Sequence, residues 1–190
     1  MLAQIAQLLV DFVASFFVFL LLARFHFQWL RVSFRNPVGA FIVAATDWIV
    51  RPARRVIPSL AGLDLATLVV AWLLQAIALW VLLSLVDAGK SASASASIGV
   101  IAMLALVDLL RYSLYILMFA VLVEVVLSWV NPYSPVAPLF QSVTRPFLAP
   151  IRRLVPTIAN VDLSPLVLLL LLQVVLIPLS YLRALAGAPG

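Results

Sequence analysis

One stretch of this chain occurs twice, and that duplication restricts the fold to two like halves. Pro52-Ala53-Arg54-Arg55-Val56-Ile57-Pro58, then five residues, then Asp64-Leu65, returns as Pro150-Ile151-Arg152-Arg153-Leu154-Val155-Pro156, then five residues, then Asp162-Leu163. The offset is 98 throughout, and the pairs Thr46/Thr144 and Gln75/Gln173 keep it. Asn36-Pro37 and Asn131-Pro132 precede the copies at an offset of 95. A gap-free match of this length reads as an internal repeat, which sets the architecture before any single element does.

The surroundings of the repeat are apolar. Leu65–Val86 and Leu163–Leu182 contain no charged residue, and Ile5–Ala23 contains only Asp11. A helix needs roughly 20 residues to cross the hydrocarbon core. A fourth span lies within Ile98–Val130, which is longer than one crossing needs. If that crossing is Tyr112–Val130, Ile98–Val107 is a separate or leading piece. The chain is 66% hydrophobic and 10% charged, more apolar surface than a soluble domain can hide. Continuous rather than alternating runs disfavour a β-barrel. The expected fold class is therefore an all-α membrane protein. Its four transmembrane helices form two repeats, each with a short interfacial or re-entrant helix between its spans.

The N-terminal span lacks a basic leading region and an A-x-A cleavage site, so it reads as a retained helix. Cysteine is absent, which removes disulfides and thiolate chemistry. Arginines 24, 31, 35, 51, 54 and 55 lie between spans one and two, and 145, 152 and 153 between spans three and four. Lys90, Arg111 and Arg183 are left for the other side. The positive-inside rule places both motifs in the cytoplasm and both termini outside. The net charge of +5 then serves anionic lipid head groups. Nucleic acid is not an expected partner, because the arginines sit at membrane ends rather than in a basic, aromatic groove.

The organisation reads as repeat one over 1–86 and repeat two over 98–190, with cytoplasmic interfacial segments at 36–64 and 131–162. Residues 87–97, centred on Ser91–Ser97, are small and polar and read as a flexible linker. Two spans per repeat make the repeats parallel, related by an axis along the membrane normal. Val38–Val50 and Val136–Leu148 are too short to cross and too apolar for loops. Phe41, Ala45 and Trp48 recur at helical spacing, as in an amphipathic helix at the interface. The prolines bounding each motif are expected to stop a helix there.

Candidate site residues follow from this frame. Arg54, Arg55, Arg152 and Arg153 can reach lipid phosphates or a partner protein while their stems cover apolar surface. Asp64 and Asp162 stand at the start of an apolar run, the place of an N-cap. Gln75 and Gln173 follow their aspartates by 11 residues, about three helical turns, so each pair shares a face. An amide there is interhelical glue, or lines a permeation path. Asp108 and Arg111 can pair on one helix at the outer interface. Glu124 and Asp11 are acids within spans and so functional candidates, with Arg24 near the inner edge a possible partner. His26 is the only histidine and makes no metal site alone. No cofactor or metal is expected, nor catalytic residues. P-loop, G-x-G-x-x-G, G-x-S-x-G and H-E-x-x-H are absent, and neither Asn-Pro continues to the Asn-Pro-Ala of aquaporins.

The two blocks, Asn36-Pro37 through Arg54-Arg55 to Asp64-Leu65 and Asn131-Pro132 through Arg152-Arg153 to Asp162-Leu163, resemble the YggT family, also called YlmG. Arg24-Phe25-His26-Phe27-Gln28-Trp29 is similar to its two-repeat bacterial members. The copies differ at Ala66-Thr67 against Ser164-Pro165, which weighs against a strictly symmetric site. The resemblance implies a small inner-membrane protein without catalytic residues. It also implies links to osmotic-stress tolerance, to the cell-division neighbourhood and, in plastid relatives, to cofactor assembly and nucleoid distribution. The expected function is a non-enzymatic interaction or assembly factor that contacts anionic head groups and a membrane protein partner, with homo-oligomers possible. The alternative is a small oligomeric channel or transporter responding to osmotic conditions.

Overall fold

The structure is a computed structural model and describes residues 2–58, 62–87, 97–155 and 162–185. Six helices follow in order: α1 Leu2–Trp29, α2 Pro37–Val56, α3 Leu65–Asp87, α4 Ile98–Val130, α5 Ala137–Leu154 and α6 Ser164–Leu185. No strand occurs among the described residues. The four helices α1, α3, α4 and α6 are long and apolar enough to cross a membrane. Residues 88–96, most of the expected linker, lie outside the described residues; Ser97 follows them and caps α4 through Val100 N–H.

α4 is one unbroken helix of 33 residues, so Ile98–Val107 is its leading part and not a separate piece. At 1.5 Å per residue it measures about 50 Å, well beyond a hydrocarbon core of about 30 Å. α2 and α5 are also longer than expected. They run through Pro52, and through Pro146 and Pro150, and end only after the Arg pairs. These prolines are exposed, so the carbonyls they leave unpaired face outward and need no protein donor.

The chain ends α1 sharply. Val32 N–H donates to Phe27 O at 2.8 Å and Arg31 N–H to Gln28 O at 3.2 Å, a Schellman turn with Arg31 at φ 55. A non-glycine residue pays about 1 kcal/mol or more for that left-handed position. Burial of Val32 against Phe27 accompanies the turn. Asn36 then caps α2, its side chain accepting from Gly39 N–H at 2.8 Å, with Pro37 at the first helical position. The second Asn-Pro works differently. Asn131 is the C-cap of α4, and α5 begins only at Ala137, without a side-chain cap.

One core belongs mainly to each half, with Leu109 of α4 reaching into the first, and two more join the halves. Val18, Leu21 and Leu22 of α1 meet Val50 of α2 and Val70 and Ala71 of α3. In the second half Leu117 and Val121 of α4 meet Leu148, Ile151, Leu168 and Leu172. Phe27, Val32 and Ile42 pack on Ala120, Leu139 and Val143 across the halves. The inward face of α2 is therefore Gly39, Ile42, Thr46 and Val50. Phe41 and Trp48, read above as its apolar stripe, point outward and are exposed.

Candidate functional site

The repeated Arg and Asp of the motif meet in space. Arg54 donates to Asp64 and, at 3.2 Å, to Gln28 Oε1 at the end of α1. Arg152 donates to Asp162 Oδ2 at 2.8 Å and lies 3.4 Å from Glu124 Oε1 near the end of α4. Each clasp thus ties three helices: the end of the first span, the end of the amphipathic helix and the start of the next span. The ten-residue spacing from Arg to Asp is what lets the chain double back and close it.

The aspartates also cap the following spans. Thr67 donates its hydroxyl to Asp64 and its N–H to Asp64 Oδ1 at 3.4 Å. At the equivalent position Pro165 has neither donor, and Asp162 accepts instead from Ser164 N–H at 2.9 Å. Burial pushes the Asp64 carboxyl up, but Arg54 and Thr67 outweigh it and hold it below the ordinary carboxylate range. For Asp162 burial also opposes, and Ser164 and Arg152 prevail in the same direction. The second arginine of each pair, Arg55 and Arg153, is exposed and makes no ion pair among the described residues.

Deeper on the same side, Arg24 is buried. It donates to Thr46 Oγ1 and Asp47 Oδ1, both at 2.8 Å, and does not pair with Glu124 or Asp11. The bond from Arg24 holds Asp47 below the usual carboxylate range against a small burial penalty, and Arg51 at 3.0 Å adds to it. In the second half Thr144 donates its hydroxyl to Glu124. The two threonines therefore occupy matching places with opposite roles, one accepting from a cation and one donating to an acid, as a hydroxyl can. Glu124 borders a cavity of about 330 Å³ shared with Ser128, Trp129, Arg152 and Asp162, and a smaller one of about 60 Å³.

A second polar layer lies toward the other side. Asp108 is fully buried. It accepts from Gln75 Nε2 at 2.8 Å and pairs with Arg183 at 3.0 Å and Arg111 at 3.4 Å, which joins α3, α4 and α6. Burial within the protein keeps water from this junction, so its charges need each other. Gln173 does not match Gln75. It is exposed on the outer face of α6 and has no hydrogen-bond partner among the described residues. Asp11 is exposed on α1 and makes no ion pair among them either.

His26 Nδ1 donates to Leu22 O at 2.6 Å within α1 and borders an apolar crevice of about 380 Å³ between the halves. No group of three or more metal-ligating side chains occurs among the described residues. Sequence reasoning missed Gln28, Arg24 with Asp47, and Arg183 with Asp108. Only the Thr46/Thr144 offset pointed toward any of them, since the other partners come from helices far apart in sequence.

The family model described as CCB3/YggT matches residues 3–85 and 103–183. The chain belongs to the CCB3/YggT family. It is 36% identical over 166 residues to "Uncharacterized protein in proC 3'region" of Vibrio alginolyticus, covering 87% of this chain and 88% of that one. It is 34% identical over 168 residues to "Uncharacterized protein YggT" of Escherichia coli K12, covering 88% and 85%. An uncharacterized protein of Pseudomonas aeruginosa is 34% identical over 181 residues, covering 92% and 88%. No solved structure matches. CCB3/YggT membership brings no enzyme-related name with it.

Proposed function

We propose that this CCB3/YggT protein is a non-enzymatic interaction or assembly factor of the bacterial inner membrane, with both termini periplasmic and both clasps at the cytoplasmic face. The observation that carries this reading is that its interior charged side chains pair with one another in two separate layers. The layer at Glu124 and the layer at Asp108 are 16 residues apart on α4. Between them stand Leu117 and Val121, packed by Leu148, Leu168 and Leu172. A channel needs a hydrated path through Glu124, Gln75 and Gln173, and Gln173 lies on the outer surface instead.

Recognition then falls to the surface around the clasps. Arg31, Arg35, Arg51, Arg55, Arg145 and Arg153 are exposed there and suit anionic head groups. The outward face of α2 carries Phe41 and Trp48, side chains that settle at head-group depth. The outward face of α5 is polar, with Gln141, Ser142 and Arg145, and is the better surface for a partner protein.

Single cysteines at positions 75, 124 and 173, tested with an impermeant thiol reagent from each side, examine this reading. The chain has no cysteine of its own. Expected is protection of Gln75→Cys and Gln173→Cys from both sides, and reaction of Glu124→Cys from the cytoplasmic side only, through its cavity. Fast reaction of Gln75→Cys in a folded chain would replace the scaffold with a pore.

A further inference from the structure

Gln173 and Asp11 are polar groups on membrane-facing surfaces, and neither has a partner among the described residues. Leaving such groups against lipid tails is costly, so their exposure asks what covers them. The molecule contains a template for the answer. The seam between its halves is α3 on α4, where Trp72 Nε1–H donates to Ala102 O at 3.0 Å and Gln75 donates to Asp108. Leu79 closes that seam on Ile101, Leu104 and Ala105, with Leu83 beside it.

The repeat copies both sides of this seam onto open faces. Adding the offset of 98 to Trp72, Gln75, Leu79 and Leu83 gives Leu170, Gln173, Ile177 and Tyr181, all exposed on α6. The counterpart of α4 is α1, the first span of its own half; both carry a tryptophan at or next to their last residue, Trp29 and Trp129. Aligned on those, Leu104, Ala105 and Asp108 fall on Gln4, Ile5 and Leu8, all exposed. Asp11 stands three residues beyond Leu8, one helical turn along the same face. Yet among the described residues α1 and α6 share no extensive packing. Each half of a used seam is therefore left bare at opposite ends of the molecule.

We propose that a second copy of this chain fills both: α6 of one copy packs on α1 of the next in the manner of the α3–α4 seam, shifted by one helical turn, with Gln173 donating to Asp11 of the neighbour. The contact is head-to-tail, not the same patch on both copies. An amide and a carboxylate are complementary as donor and acceptor, and membrane helices without a hydrophobic drive toward each other associate through such bonds and close packing. This partner lies in the plane of the membrane, so the inference stands apart from whatever the clasp face recognises.

The test uses the full chain in native membranes. Copies carrying Ile177→Cys and copies carrying Leu8→Cys, with different tags, are co-expressed and oxidised. A disulfide joining the two tags is expected, with little crosslinking of either variant alone. Gln173→Leu, an outer-face change, is expected to lower that crosslink several-fold while leaving the unfolding midpoint in place. Three results would each overturn the proposal: Ile177→Cys crosslinking to itself, no crosslink in any combination, or a crosslink indifferent to Gln173→Leu.

Discussion

Asp64→Asn and Asp162→Asn are the same substitution in the same repeated motif, yet their costs should differ. Asparagine keeps the shape and a carbonyl oxygen that can still cap the helix, so what is removed is the charge. The Asp64 side chain is 2% exposed and is bound by Arg54 and Thr67. The Asp162 side chain is 35% exposed and faces an arginine that is itself 44% exposed. A hydrogen bond to a charged group is worth about 1.5–3 kcal/mol. Arg54 is 41% exposed, so screening takes Asp64→Asn to the low end, about 1.5–2 kcal/mol. The exposed pair in the second half gives about 0–1 kcal/mol. The difference, about 0.5–2 kcal/mol, is roughly 2- to 30-fold in the folded-to-unfolded ratio. Reversible unfolding in mixed micelles, followed by the fluorescence of the five tryptophans, measures both. Equal losses, or a larger loss for Asp162→Asn, would refute the claim that burial rather than motif sets the strength of each clasp.

Asp108→Leu strands Arg111 and Arg183 in a buried site and should cost about 3–5 kcal/mol in the same assay, with Arg183→Leu added to it recovering part; a loss below 1 kcal/mol would mean water already solvates the junction. Gly39→Ala puts a Cβ 2.8 Å from the Cα and O of Phe34, backbone atoms that cannot swing away, and should cost about 1–3 kcal/mol; a neutral result would show that the turn before α2 adjusts freely. Asp47, Asp64 and Asp162 are all held below their ordinary values, so the stability they supply is complete above about pH 4 and is lost as pH falls through the lowered folded values. The unfolding midpoint should therefore be flat from about pH 5 to 8 and fall in acid, with a shallower fall in Asp64→Asn. A C-terminal alkaline phosphatase fusion should be active and a fusion after Arg55 inactive; the reverse pattern would move both clasps to the periplasmic side.

The sequence by itself determined the features that are local along the chain. Uncharged runs of about 20 residues are long and apolar enough to be spans. An aspartate just before such a run meets free N–H groups whatever the helix packs against, and an arginine ten residues earlier is close enough to fold back onto it. Tertiary structure alone decided which polar residues face inward. Gln75 and Gln173 have the same spacing and the same apolar neighbours, but only Gln75 meets a second half, through Asp108. Arg183 reaches Asp108 from 75 residues away, and Arg24 finds Asp47 on a different helix, so no pattern within one helix announces either pair. The physical reason is that spans such as α3 and α4 are apolar all round. In water a hydrophobic stripe names the buried face, but against lipid tails every face is equally acceptable, and the inward one is chosen by packing and by the few polar groups that find partners across helices.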